Sequence, residues 1–194
     1  MKILFYSIIK VILTPLFYII FRPKVIGKSN IPRNEAVVLA GNHTNFWDSI
    51  MLIAVVPRRV HFLAKIELFK GIVGVFVRMM GCIPVNRKIH DKDALSSAKE
   101  VLKDGEVIGI FPEGTINRTD DIIMPFKIGA VKMAKDTSSS IVPFVITGKY
   151  NIFKNRIRVE FLEKRRVSLD LDSENKKLMD AISYKLEEEY ECNK

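Results

Sequence analysis

Apolar positions in this chain come first as one long run and then as short runs cut by polar turns. Ile3 to Phe21 is apolar almost throughout, broken by Lys10 and Pro15. Beyond it, Ala36-Val37-Val38-Leu39, Val60-His61-Phe62-Leu63, Cys82-Ile83-Pro84-Val85, Glu106-Val107-Ile108-Gly109-Ile110-Phe111 and residues 141–146 are short and rich in β-branched side chains, the pattern of buried strands. Residues 156–162 alternate, as a strand near a sheet edge does, and Pro143 sits inside the run before it. Helical stretches lie between the strands. Residues 49–56 are apolar. Residues 66–80 are apolar nearly all round and interrupted by Gly71 and Gly74, which predicts a helix that is either deeply buried or the wall of an apolar groove, composition favouring a core helix. Residues 91–103 predict a solvent-facing helix stopped by Asp104-Gly105, and 127–135 a further helix. Residues 173–191 predict a charged terminal helix capped by Ser173, with a narrow stripe of Leu178, Ile182, Leu186 and Tyr190. Strands alternating with helices specify an α/β fold: a single mixed sheet with flanking helices over 24–194, preceded by an N-terminal helix over 1–23.

Three of the strands run directly into polar turns, at His43, at Arg87 and at Glu113. Strand ends of α/β sheets converge on one edge, so one cleft can collect all three turns. His43 and Asp48 are five positions apart, which on a continuous helix separates them by about 140°. They meet only if the chain bends, and Asn42 and Asn45 permit that bend. Two readings follow. The carboxylate holds one imidazole nitrogen while the other faces a substrate, or Asp48 is a helix N-cap and His43 a hydrogen-bonded turn residue. Zinc is disfavoured, because no second His lies at i+4 and Cys82 and Cys192 have no ligand spacing. His61 reads as a packed strand residue.

A chain of 194 residues that is 48% hydrophobic buries one substantial core, and no linker or repeat divides it. The net charge of +9 asks for an anionic partner. Nucleic acid is disfavoured, with no zinc finger, aromatic-rich binding signature or long basic run. A membrane surface fits better, since Lys2, Lys10, Arg22, Lys24, Lys28 and Arg33 surround the first apolar run with no acidic residue among them. A cleaved signal would want small residues where Tyr18 to Pro23 are bulky. A spanning helix is barely accommodated. A helix lying in the interface tolerates both Lys10, reaching toward headgroups, and a bend at Pro15. Two unpaired cysteines suggest a reducing compartment or buried thiols, which places the expected site on the cytoplasmic face of the cell membrane.

Asn42-His43-Thr44-Asn45-Phe46-Trp47-Asp48 resembles the HxxxxD motif of the glycerolipid acyltransferases, and Phe111-Pro112-Glu113-Gly114-Thr115 resembles their second signature. Gly81 to Arg87 resembles the intervening block that ends in a substrate-binding arginine, and Ile141-Val142-Pro143 the final apolar-proline block. The four blocks stand in the family's order within residues 36–148. The resemblance is nearest to members that acylate 1-acylglycerol 3-phosphate to phosphatidic acid. It implies that His43 is general base, that Asp48 orients it, and that the acceptor hydroxyl attacks an acyl carrier protein or coenzyme A thioester, with no cofactor, metal or acyl-enzyme. It further implies that Arg87 clamps the acceptor phosphate and that Glu113, Gly114 and Thr115 belong to the binding motif, Glu113 bonding a glycerol hydroxyl or bracing the arginine. Many members carry Arg directly after Gly-Thr; here Ile116 stands there, which leaves Arg118 or Lys127 to supply the cation. That departure keeps glycerol 3-phosphate or another lysolipid open as acceptor. A catalytically silent lipid-binding protein of the membrane surface is the alternative from outside enzymology.

Overall fold

The computed structural model describes residues 2–86, 89, 91–151 and 157–191. Seven strands form one sheet: β1 (Lys24–Ile26), β2 (Val37–Gly41), β3 (Val60–Lys65), β4 (Ile83–Val85), β5 (Val107–Ile110), β6 (Ser140–Thr147) and β7 (Arg158–Phe161). Their spatial order is β1-β7-β6-β2-β5-β3-β4. The five strands from β6 to β4 run parallel; β7 is antiparallel to β6 and carries β1 parallel beside it, giving the mixed sheet expected from the sequence. Every residue of β2 is buried, as a central parallel strand covered on both faces requires.

Alternation along the strands separates two cores. Val37 and Leu39 of β2 face a cluster built with Val60, Phe62, Phe144 and Phe161, and Val38 and Ala40 face another with Ile108, Ile141 and Val145. The first is covered by α1 (Lys2–Phe21) and α2 (Trp47–Val55), the second by α4 (Lys92–Lys103), α5 (Gly129–Asp136) and α6 (Leu171–Glu191). Gly109 of β5 lets the Phe62 ring lie against the strand; a Cβ there would stand 2.4 Å from it. Pro143 sits in an interior strand without a broken ladder because the β6–β7 pairing shifts beside it. Regular pairing ends at Phe144–Phe161, a bridge resumes at Ile141–Arg165, and the Pro143 carbonyl accepts from Leu162 N–H.

Three local expectations are corrected. The stretch 66–80 is not one core helix: a 3-10 turn over Ile66–Phe69 is followed by α3 (Gly71–Met79), and Gly71 at φ 60° makes the break. Most of α3 is exposed, Ile72 to 91%, with Val73, Val75 and Phe76 beside it. The cap of α6 is not Ser173; Asp170 accepts the Ser173 amide instead. Of its stripe, Leu178, Ile182 and Leu186 are buried, whereas Tyr190 is exposed and Glu189 turns in to pair with Arg158. Lys10 does not reach outward. Its ammonium donates to the carbonyls of Val56 and Arg58, where α2 ends and orphan carbonyls need donors.

That inward lysine makes α1 an inverted amphipath. Three of its polar groups face the protein: beside Lys10, Tyr6 Oη accepts from Val60 N–H and Thr14 Oγ1 donates to the Ala54 carbonyl, with Phe17 buried on the same side. Ile3, Leu4, Val11, Ile12 and Ile19 face away and are exposed. Phe5 meets Phe76 edge to face at 6.0 Å, so the apolar outer sides of α1 and α3 adjoin.

Candidate active site at the parallel strand ends

β2 and β5 are neighbours in register, Ala40 opposite Ile110, and the turns leaving them bring His43 and Glu113 together. Asn42 anchors the first turn: its buried amide donates to the Ile146 carbonyl and accepts from the Ile146 amide, extending the contact between β2 and β6 by a side chain. The chain then reverses through Thr44 and Asn45, and α2 starts at Trp47. This is the bend that the five-residue spacing demanded.

Asp48 is fully buried in the first turn of α2, where a negative charge is favoured by the helix dipole. It is not the N-cap; the cap position is Phe46. One carboxylate oxygen, Oδ2, accepts from His43 Nδ1 at 2.9 Å, from Thr44 N–H at 2.7 Å and from Asn45 N–H at 2.8 Å. The carboxylate therefore fixes the imidazole and the loop that carries it. With Nδ1 committed as donor, Nε2 is left as the ring's proton acceptor. The imidazole stacks on Phe111 at 3.9 Å between ring centroids, 11° apart, which sets its plane.

Glu113 lies beneath this pair and is bonded to the backbone at both oxygens. Its Oε1 accepts the His43 amide at 2.7 Å and its Oε2 the Met124 amide at 2.9 Å. Both oxygens are taken by backbone, and the residue is 4% exposed. Glu113 thus clamps the β2 turn to the 124–127 segment, with one backbone amide on each oxygen. Burial pushes its pKa up, opposed by the two amides and by His43.

His43 opens on a cavity of about 230 Å³ between the strand ends and α4 and α5. Its walls are largely apolar, including Leu63, Val85, Ile89, Leu95, Ile110 and Met133, and Lys127 and Lys132 line it as cations. Gly114 lines it too, at φ 77°; a Cβ there would stand 2.9 Å from the Lys127 amine. Thr115 and Arg118 are exposed and do not line the cavity. Arg87 lies outside the described residues, although Val85, Asn86 and Ile89 on either side of it line the wall. Asp91 holds that stretch by accepting the amides of Asn86 and Ala94. His61 is a packed strand residue, its Nδ1 bonded to the Gly81 carbonyl, and burial pushes the Cys82 thiol up to about 11, so it is no nucleophile at neutral pH.

One residue at the site carries no signal in the sequence. Tyr150, just beyond β6, donates its hydroxyl to Asp48 Oδ1 at 2.6 Å. Nothing in its own stretch marks it, because its partner is 102 positions away.

The Acyltransferase family matches residues 22–147. The chain is 34% identical over 127 residues to 1-acyl-sn-glycerol-3-phosphate acyltransferase of Bacillus subtilis, covering 64% of this chain and 62% of that protein. It is 37% identical over 136 residues to the enzyme of the same name from Borreliella burgdorferi, covering 69% and 54%. It therefore spans somewhat over half the length of these relatives. Its fold is similar to the crystal structure of the 1-acyl-sn-glycerophosphate (LPA) acyltransferase PlsC from Thermotoga maritima, with a TM-score of 0.71 at 24% identity over 86% of this chain and 71% of that one.

Proposed function

This chain belongs to the acyltransferase family, and we propose that it moves a fatty acyl group from a thioester to the free hydroxyl of 1-acylglycerol 3-phosphate, forming phosphatidic acid. The observation that carries the reading is the His43–Asp48 pair, buried on the carboxylate side and opening on an apolar cavity lined by lysines. His43 Nε2 takes the proton of the acceptor hydroxyl as its oxygen attacks the thioester carbonyl. Asp48 stabilises the imidazolium that forms. Collapse of the tetrahedral oxyanion breaks the carbon–sulfur bond, and the leaving thiolate recovers the proton. No side chain is acylated, and no cofactor enters beyond the acyl carrier protein or coenzyme A that carries the thioester.

The acceptor phosphate meets Lys127 and Lys132 in the cavity wall, and Arg87, which follows Asn86 in the sequence, is assigned to it as a further cation. Lys127 stands against Gly114 and supplies the cation that Ile116 lacks, with Arg118 and Thr115 on the outer side of the turn. Apolar side chains from Leu63 to Met133 take the hydrocarbon.

The protein works at a membrane surface on the cytoplasmic face, where its lipid acceptor resides. α1 is 20 residues long and apolar enough to cross a bilayer, but it is fastened to the domain at Tyr6, Lys10, Thr14 and Phe17. A helix tied down over about 17 Å of its length cannot also be surrounded by lipid, so α1 lies in the interface with its outer face among the acyl chains.

The test is an acceptor panel with a labelled thioester, read by product identity. Transfer to 1-acylglycerol 3-phosphate is expected, falling roughly 10²- to 10⁴-fold in His43→Ala and falling severely in Asp48→Asn. Product from glycerol 3-phosphate alone would move the acceptor. Lysolipid binding with no product from any acceptor would overturn the catalytic reading.

A further inference from the structure

Asp48 is held by two sets of partners on opposite oxygens. Oδ2 serves His43 and the amides of Thr44 and Asn45, whereas Oδ1 has the Tyr150 hydroxyl at 2.6 Å and Thr44 Oγ1 only at 3.5 Å. A short O–H to carboxylate contact is the strong, charge-assisted kind. Asp48 is 0% exposed, so removing the tyrosine hydroxyl leaves Oδ1 with only the long Thr44 contact. The hydroxyl stays a donor at any working pH, because burial and the neighbouring carboxylate push its pKa far up.

Tyr150 is itself held from α1. Its ring meets Phe17 at 6.3 Å and Phe21 at 5.5 Å, both edge to face. Phe21 also packs on Trp47 at 5.6 Å, and Trp47 is the residue before Asp48. The C-terminal end of the apolar helix therefore touches the catalytic turn twice, through the tyrosine and through the start of α2.

We propose that Tyr150 is a positioning residue for the His43–Asp48 pair and that Phe17 and Phe21 of α1 hold it in place, so that the seat of α1 sets turnover as well as lipid contact. The proposal rests on His43 acting as base. Its consequence differs from that of an anchor: disturbing the end of α1 slows the reaction even when substrate needs no membrane.

The experiment uses the full chain in detergent micelles, with a short-chain thioester and a short-chain lysophosphatidate that are both water-soluble. Tyr150→Phe keeps the ring and loses the hydroxyl; kcat is expected to fall about tenfold with both KM values within about twofold. Phe21→Leu is expected to lower kcat less, and to cost less in the Tyr150→Phe background than alone, since part of its effect runs through the tyrosine hydroxyl and part through Trp47. A second readout needs no turnover: the hydrogen-bonded Nδ1 proton of His43, followed by NMR, moves in Tyr150→Phe and stays in place in Tyr184→Phe, an exposed tyrosine. Unchanged kcat, an unmoved ring proton, or a full independent loss from Phe21→Leu in the double variant would each overturn the proposal. If the wild-type chain transfers no acyl group, the functional reading fails, and the ring proton still decides whether Tyr150 positions the pair.

Discussion

At the scale of single residues, the site depends on buried carboxylates whose every oxygen is used. Glu113 shows the structural use of such a group: it accepts one amide from each of two segments and makes them one surface. Glu113→Gln keeps the shape but turns an NH₂ toward one of those amides, donor against donor. We expect a loss of about 1–3 kcal/mol, the penalty of an unsatisfied buried group, measured by denaturant unfolding. Activity should fall with it, because the His43 backbone is one of the two points released. Stability within error of wild type would mean that the clamp is dispensable.

Among the elements, α4 bears on the site through its first turn. Asp91 caps it by accepting the Ala94 amide, and its other oxygen accepts the Asn86 amide at the exit of β4. Asp91→Ala should cost about 1 kcal/mol, read as a melting point lower by about 2–4 °C. It should also raise the acceptor KM, since the stretch leading to Arg87 loses its tether. The two amides hold the Asp91 carboxyl below its ordinary 3.8. Its folded-state pKa is thus lower than the unfolded one, so the contribution is complete above about pH 4 to 5 and is lost as pH falls through the lowered value. The melting points of wild type and Asp91→Ala should converge in acid; a gap that stays constant down to pH 2 would refute the assignment.

For the whole molecule, the outer sides of α1 and α3 join the exposed Ile66 and Leu68 in one apolar surface on the α2 side of the sheet. An apolar surface of this breadth asks for a partner, and lipid is the partner that suits a lysolipid acceptor. Ile72→Asp with Val75→Asp places two charges on exposed positions of α3, the first in its opening turn where the helix dipole favours it, so folding should be unaffected. Partitioning onto anionic vesicles should weaken by at least about tenfold, from lost burial and from repulsion. Unchanged partitioning would confine the membrane contact to α1.

The runs of apolar residues were enough to specify six of the seven strands, the α/β class and the turns at which reactive groups emerge, because burial in a sheet leaves a local signature; the three-residue edge strand β1 is too short to leave one. His43 and Asp48 were legible for a similar reason: five residues of chain contain the whole contact. The remaining determinants were settled by which elements lie side by side. β6 lies next to β2, and this alone carries Tyr150 to Asp48 across 102 positions. Lys10 turned inward because the C-terminal end of α2, distant in sequence, offered carbonyls that water would otherwise have to satisfy. Hydrophobic content made 66–80 read as core, yet composition cannot say whether an apolar helix is covered; the described residues leave most of α3 exposed. The motif around Glu113 gave no sign of its two backbone amides, since a carboxylate's partners are chosen by what lies within 3 Å and not by its place in a motif.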